Sequence, residues 1–182
     1  MTLQQAAGYQ NRKDIPPQQA AGNYQVNGTI YFGGGLGTLD ATLGSANAFK
    51  SITGVEATLV TGDYSPIPLG TGAAFTSFTF NPFVGSVVPL WTLTVGGTTY
   101  SLNATSIDIN YQIPNFLNLE GQGVAQITGF DDTPGSWTIT GTGTTGAVIV
   151  SFGATTTVPE PASMLLLGLG LLGIGLASRK KA

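Results

Sequence analysis

The chain has 182 residues, no Cys and no His, and only 8% of its residues are charged, with a net charge of −3. A disulfide framework, a thiolate metal site, a thiol nucleophile and the usual histidine base are therefore excluded. All nine acids lie between Asp14 and Glu160, where Lys50 is the only base; such a stretch repels polyanions and argues against nucleic acid as a partner.

Residues 1–24 read as a flexible leader. Gln4-Gln5-Ala6-Ala7-Gly8-Tyr9-Gln10 is echoed by Gln18-Gln19-Ala20-Ala21-Gly22-Asn23-Tyr24-Gln25, with Pro16-Pro17 between the copies. The leader has no apolar core of a signal peptide. If the protein is exported, its native start is expected upstream of Met1.

Residues 25–153 read as a β-domain. Thr, Gly, Val, Ile and aromatic residues dominate, and apolar positions alternate with polar ones. Strands are predicted near 25–32, 54–61, 74–80, 106–112, 115–119, 123–130, 136–141 and 147–152. The segment Trp91–Val95, Gly96-Gly97, Thr98–Leu102 predicts a tight hairpin with Leu93 opposite Tyr100 and Trp91 opposite Leu102. Ile107, Ile109, Tyr111 and Ile113 are expected to share one face, with Asp108, Asn110 and Gln112 on the other. Pro134-Gly135 suits the centre of a type II turn. Gly33–Asn47 reads as a long loop, and the run Gly33-Gly34-Gly35-Leu36-Gly37 lacks the Gly-Lys-Ser/Thr ending of a phosphate loop. Roughly ten short strands at this spacing predict an all-β antiparallel sandwich or small barrel.

Few residues in this domain point to chemistry. Asp131 and Asp132 are a weak Ca²⁺ candidate, with turn capping as the plainer role. Glu56, Asp63, Asp108, Glu120, Asp131 and Asp132 are the carboxylates from which a glycosidase pair would have to come. Tyr64 and Trp137 are the candidates for stacking on a sugar ring, while Trp91, in an alternating strand, is expected in the core. No catalytic residue and no cofactor is assigned, and the chain is not read as an enzyme. Residues 154–158 read as a Thr-rich stalk.

The segment 159–182 has a different character. Val158-Pro159-Glu160-Pro161 is followed by an uncharged Leu/Gly-rich run from Ala162 to Ser178 and then by Arg179-Lys180-Lys181. As a helix the run would span ~25 Å, just short of a hydrocarbon core of ~30 Å. The three cations would snorkel and hold their end on the cytoplasmic side, leaving the β-domain on the periplasmic side. Pro159 and Pro161 keep the preceding chain extended.

These closing residues resemble the PEP-CTERM sorting signal of Gram-negative bacteria. The resemblance implies an exosortase as partner, a membrane-embedded cysteine protease that recognises Pro159, Glu160 and Pro161 and removes the helix. It also implies passage through the inner membrane to the cell surface or extracellular matrix, in surroundings where exopolysaccharide is made. The domain itself is similar to an all-β ectodomain common among PEP-CTERM proteins, through Phe78-Thr79-Phe80-Asn81-Pro82-Phe83, Pro89-Leu90-Trp91 and Thr128-Gly129-Phe130-Asp131-Asp132-Thr133-Pro134-Gly135-Ser136-Trp137. That ectodomain has no assigned activity. The expectation is a structural or interaction protein, with an exopolysaccharide-binding module as the alternative.

Overall fold

The computed structural model describes residues 24–143 and 146–156. Its strands are β1 (Gly28–Leu39), β2 (Ala48–Thr53), β3 (Glu56–Val60), β4 (Ala74–Phe75), β5 (Phe78–Thr79), β6 (Val87–Val95), β7 (Thr98–Ala104), β8 (Asp108–Ile113), β9 (Phe116–Ile127), β10 (Thr133–Thr142) and β11 (Ala147–Thr156). Among the described residues a 3-10 turn covers Gly62–Tyr64. Among the described residues no helix is long and apolar enough to cross a membrane. The predicted helix at 162–178 and most of the leader lie outside the described residues.

The all-β antiparallel class holds, but the sandwich does not. All 11 strands belong to one sheet, in the order β4-β6-β7-β9-β10-β11-β1-β2-β5, with β3 pairing β1 and β8 pairing β9. The sheet curls into a half-barrel. Phe32 on β1 and Trp91 on β6 are five strand spacings apart along that order, about 24 Å in a flat sheet. Their ring centroids are 5.0 Å apart. Beyond β3, Ala57 N–H donates to Thr71, Gly70 N–H to Ala57 and Ala73 N–H to Val55. Those bonds tie the β1 flank to the chain just ahead of β4.

Period-two alternation explains the interior. Ile30 and Phe32, Trp137 and Ile139, Leu117 and Leu119, Val148, Val150 and Phe152 all point inward and are buried. Phe32, Phe75, Trp91, Trp137 and Phe152 form one aromatic cluster across the curl. The β6–β7 hairpin has the predicted register, with Trp91 opposite Leu102, Leu93 opposite Tyr100 and Val95 opposite Thr98.

Several sequence expectations are corrected. Gly33–Leu39 is not a loop; it is the second half of β1. A register shift between Phe32 and Gly35, with Gly34 at φ +76°, bends the strand there. The bend lets β3 pair the first half of β1 and β2 pair the second. Strands predicted at 115–119 and 123–130 are one strand, β9, which runs through Gly121 without a turn. Pro134 and Gly135 lie within β10, and the turn falls earlier, with Gly129 at φ +91°. In β8 the alternation fails at a register shift between Ile109 and Tyr111, and both side chains are exposed. Gln112 instead turns back and donates to the Leu43 and Ala46 carbonyls.

Candidate functional site

The predicted stalk at 154–158 is corrected over 154–156, while 157 and 158 lie outside the described residues. Ala154, Thr155 and Thr156 complete β11, an inner strand with β1 on one side and β10 on the other. Thr156 stands opposite Gly28 and Gly135, is 1% exposed, and donates its hydroxyl to the Gly28 carbonyl at 3.2 Å. The Thr155 and Thr29 hydroxyls are 3.3 Å apart. A Thr-rich segment makes a strand here because β-branched side chains suit a pleated surface and both neighbours supply partners.

The end of the half-barrel where β11 finishes is built from the starts of β1 and β10, the Gly62–Tyr64 turn, the Gly96-Gly97 hairpin loop and the turn after β9. Two close backbone approaches set it. A Cβ on Gly28 would collide with the Thr61 carbonyl, and one on Gly62 (φ +59°) with the Asn27 carbonyl. Asp63 then accepts the Asn27 N–H at 2.7 Å. Between these loops opens a groove of about 620 Å³, lined among others by Asp63, Pro66, Val95, Tyr100, Ile127 and Phe130. Tyr24 packs edge-on against Phe130, with centroids 6.1 Å apart, so both ends of the described chain meet at this rim.

Tyr64 was expected to be available for stacking on a sugar. It is fully buried, with its ring 6.2 Å from that of Tyr100. Burial pushes its pKa up to about 12; the nearby Thr156 hydroxyl pulls it down and the Asp63 charge pushes it up further. Thr156 lies near the phenol but gives its hydroxyl proton to Gly28, and no hydrogen bond of good geometry satisfies the Tyr64 hydroxyl among the described residues. The Tyr100 pKa is also raised, chiefly by burial and secondarily by Asp63.

Trp137 is corrected in the same way. It is 1% exposed, stacks on Phe152 at 6.3 Å and donates its indole N–H to the Gln122 carbonyl at 2.9 Å. Its place in the inward phase of β10 removes it from any surface role. Trp91 is in the core, as its strand pattern predicts. Asp131 pairs through its backbone with Gln25 and Tyr24, and the Asp132 carboxylate accepts from Gln126 at 2.9 Å. Among the described residues no group of three or more acids, His or Cys is close enough to hold a metal ion. Pro159, Glu160, Pro161, Arg179, Lys180 and Lys181 lie outside the described residues.

The outer wall holds an aromatic that the sequence reading missed. Tyr31, 46% exposed, lies over Gly153, where a Cβ would sit 2.6 Å from its ring. One ring face is thus backed by sheet. A shallow furrow runs from Tyr31 past Thr155, Ser136 and Thr138. It continues along Glu120, Gln122, Ser106 and Asp108. The missed signal was the phase of Thr29-Ile30-Tyr31-Phe32, which puts Tyr31 outside once Ile30 and Phe32 are inside. Asp108 and Glu120 are direct register partners in this furrow. Both are exposed, whereas a two-carboxylate mechanism asks for one acid in apolar surroundings.

No curated protein and no solved structure is matched by the chain. Residues 157–181 match the model of the PEP-CTERM protein-sorting motif. That motif implies an exported protein, an exosortase as partner, and transient holding at a membrane by the C-terminal region. Its first residue follows Thr156 directly. The chain therefore carries a PEP-CTERM protein-sorting motif, which begins at the residue after the last strand of an all-β half-barrel.

Proposed function

We propose that this protein is cargo of the sorting system. It is exported, held in the inner membrane by the segment 162–178, processed by an exosortase near Pro159–Pro161, and delivered to the cell surface or extracellular matrix as a structural or interaction protein. The observation that carries this reading is the motif at 157–181. The cations Arg179, Lys180 and Lys181 orient the segment, and Pro159, Glu160 and Pro161 are what the enzyme reads. In this reading the chain is substrate and not catalyst, in keeping with a sequence that has neither Cys nor His. Fractionation of native cells with mass spectrometry of both termini tests it. Mature protein should lack residues 164–182; intact C-terminal peptides in surface fractions would refute processing.

A second reading, a polysaccharide-binding module, is favoured by one feature, the Tyr31 ring laid on Gly153 beside a furrow of hydroxyls and carboxylates. A sugar ring would stack on the free face of Tyr31 while the furrow groups bond its hydroxyls. Binding of the protein to a polysaccharide panel should then be saturable and lost in Tyr31→Ala. Binding unaffected by that change would remove the basis of the reading.

A further inference from the structure

We propose that the rim where β11 ends is the surface on which the sorting enzyme seats the folded β-domain. The enzyme's outer face would present basic groups around an apolar contact. The inference rests on the sorting reading above and adds to it a docking surface on the cargo.

Distance makes the first argument. Thr156 is buried and held on both sides by Gly28 and Gly135. Only Thr157 and Val158 separate it from Pro159. The three peptide links from Thr156 to Pro159 reach about 10–11 Å when fully extended. An enzyme that grips Pro159–Pro161 is therefore brought against the rim unless β11 first peels away. Peeling would break ladders to two strands, the Thr156–Gly28 bond and the Thr155–Thr29 contact. Contact with the rim is the cheaper outcome.

Shape and charge make the second. The groove of about 620 Å³ lies at this same end, walled by Pro66, Val95, Tyr100, Ile127 and Phe130. Asp63 lines it, and Asp131 and Asp132 stand on the adjoining turn. Lys50, the sole cation among the described residues, belongs to β2, which pairs the far half of β1. This acidic rim repels anionic lipid headgroups and complements a basic protein face. The occupant is therefore the protein partner and not the lipid surface.

The test follows conversion of full-length to processed protein in native cells by time-resolved immunoblotting. Three variants probe the rim: Asp63→Asn with Asp131→Asn and Asp132→Asn, Asp131→Asn with Asp132→Asn alone, and Ser65→Arg, an exposed position lining the groove. Asparagine at 63 retains an acceptor for Asn27, and native tryptophan emission confirms folding of each. Glu56→Gln, an exposed position at the start of β3 opposite Gly33 and outside the groove, is the control. The proposal expects processing about three- to tenfold slower in the rim variants and unchanged in the control. A fourth variant carries a flexible Gly/Ser linker of about ten residues between Thr156 and Thr157. It should also slow processing, because the rim no longer positions the motif. Rim variants that match wild type or outrun it, or a linker that speeds processing, would overturn the docking surface. Glu160→Gln with Pro159→Ala separates the two claims. If it stops processing while rim variants run normally, the rim proposal alone fails. If it behaves as wild type, the sorting reading fails with it.

Discussion

Trp137 on β10 lies across Gly121, its direct register partner on β9. A Cβ at position 121 would sit 2.7 Å from the indole ring and collide with the Ser106 carbonyl behind it. Gly121→Ala should therefore cost about 1–3 kcal/mol through overpacking. Urea unfolding followed by tryptophan emission would show a lower midpoint at an unchanged slope. An unaltered midpoint would mean that both the Ser106 backbone and the indole give way freely.

The two tryptophans are equally buried but differ in one bond. Trp137 donates its N–H to Gln122, whereas the Trp91 N–H has no acceptor among the described residues. Trp137→Phe should then cost up to about 1 kcal/mol more than Trp91→Phe, since it gives up a hydrogen bond that is made, while the Gln122 carbonyl keeps the Thr105 and Ser106 N–H donors. Paired denaturation curves decide this. Equal losses would show that packing volume alone governs both sites.

Tyr64 gives the fold an alkaline limit. Its folded pKa of about 12 exceeds the ordinary 10.0, so the folded state favours the neutral phenol. The associated stability is fully present below pH 10 and is lost as pH rises toward 12, up to about 2–3 kcal/mol. Tyr64→Phe removes a buried hydroxyl without a hydrogen-bond partner among the described residues, so it should be neutral or stabilising at pH 7 and should flatten the alkaline fall. Thermal melts from pH 8 to 12 on both proteins would reveal the difference. Parallel declines would assign the alkaline limit to other groups, Tyr100 first among them.

Asp40 has the opposite sign. Its carboxylate accepts the N–H groups of Asn47 and Ala48 at 2.9 and 3.1 Å. Its pKa is lowered, first by the Asn47 bond; desolvation opposes this and the Ala48 bond adds to it. The turn between β1 and β2 is thus braced above the ordinary Asp range, and the brace is lost as pH falls through the folded value. Amide exchange at Asn47 and Ala48 should quicken in Asp40→Ala at neutral pH and in wild type at acid pH. Slow exchange in the variant would leave the turn to its backbone bonds.

Much of this molecule was legible without coordinates of any kind. The alternation and the Gly-Gly turn placed the β6–β7 hairpin in its true register, because a two-residue loop leaves one pairing that buries Trp91, Leu93, Tyr100 and Leu102 together. The motif at 157–181 was legible because its elements are local and ordered along the chain. Local pattern could not tell which of two alternating faces turns inward. That choice depends on strands far away in sequence, so Trp137 looked available when it is interior; Tyr64, on the 3-10 turn, is likewise buried only by residues distant in sequence, Tyr100 among them. Nor could composition show that Gly33–Leu39 continues a strand, since the glycines there make room for Val55, Val148 and Val150 across the sheet.

Sequence alone thus determined the class of the domain and its address, both of which are written in neighbouring residues. The tertiary structure decided that the Thr-rich segment before the motif is wall and not stalk. Only the curl of the sheet supplies strands on both sides of Thr156, and their pairing fixes the last residue before the motif in the folded wall.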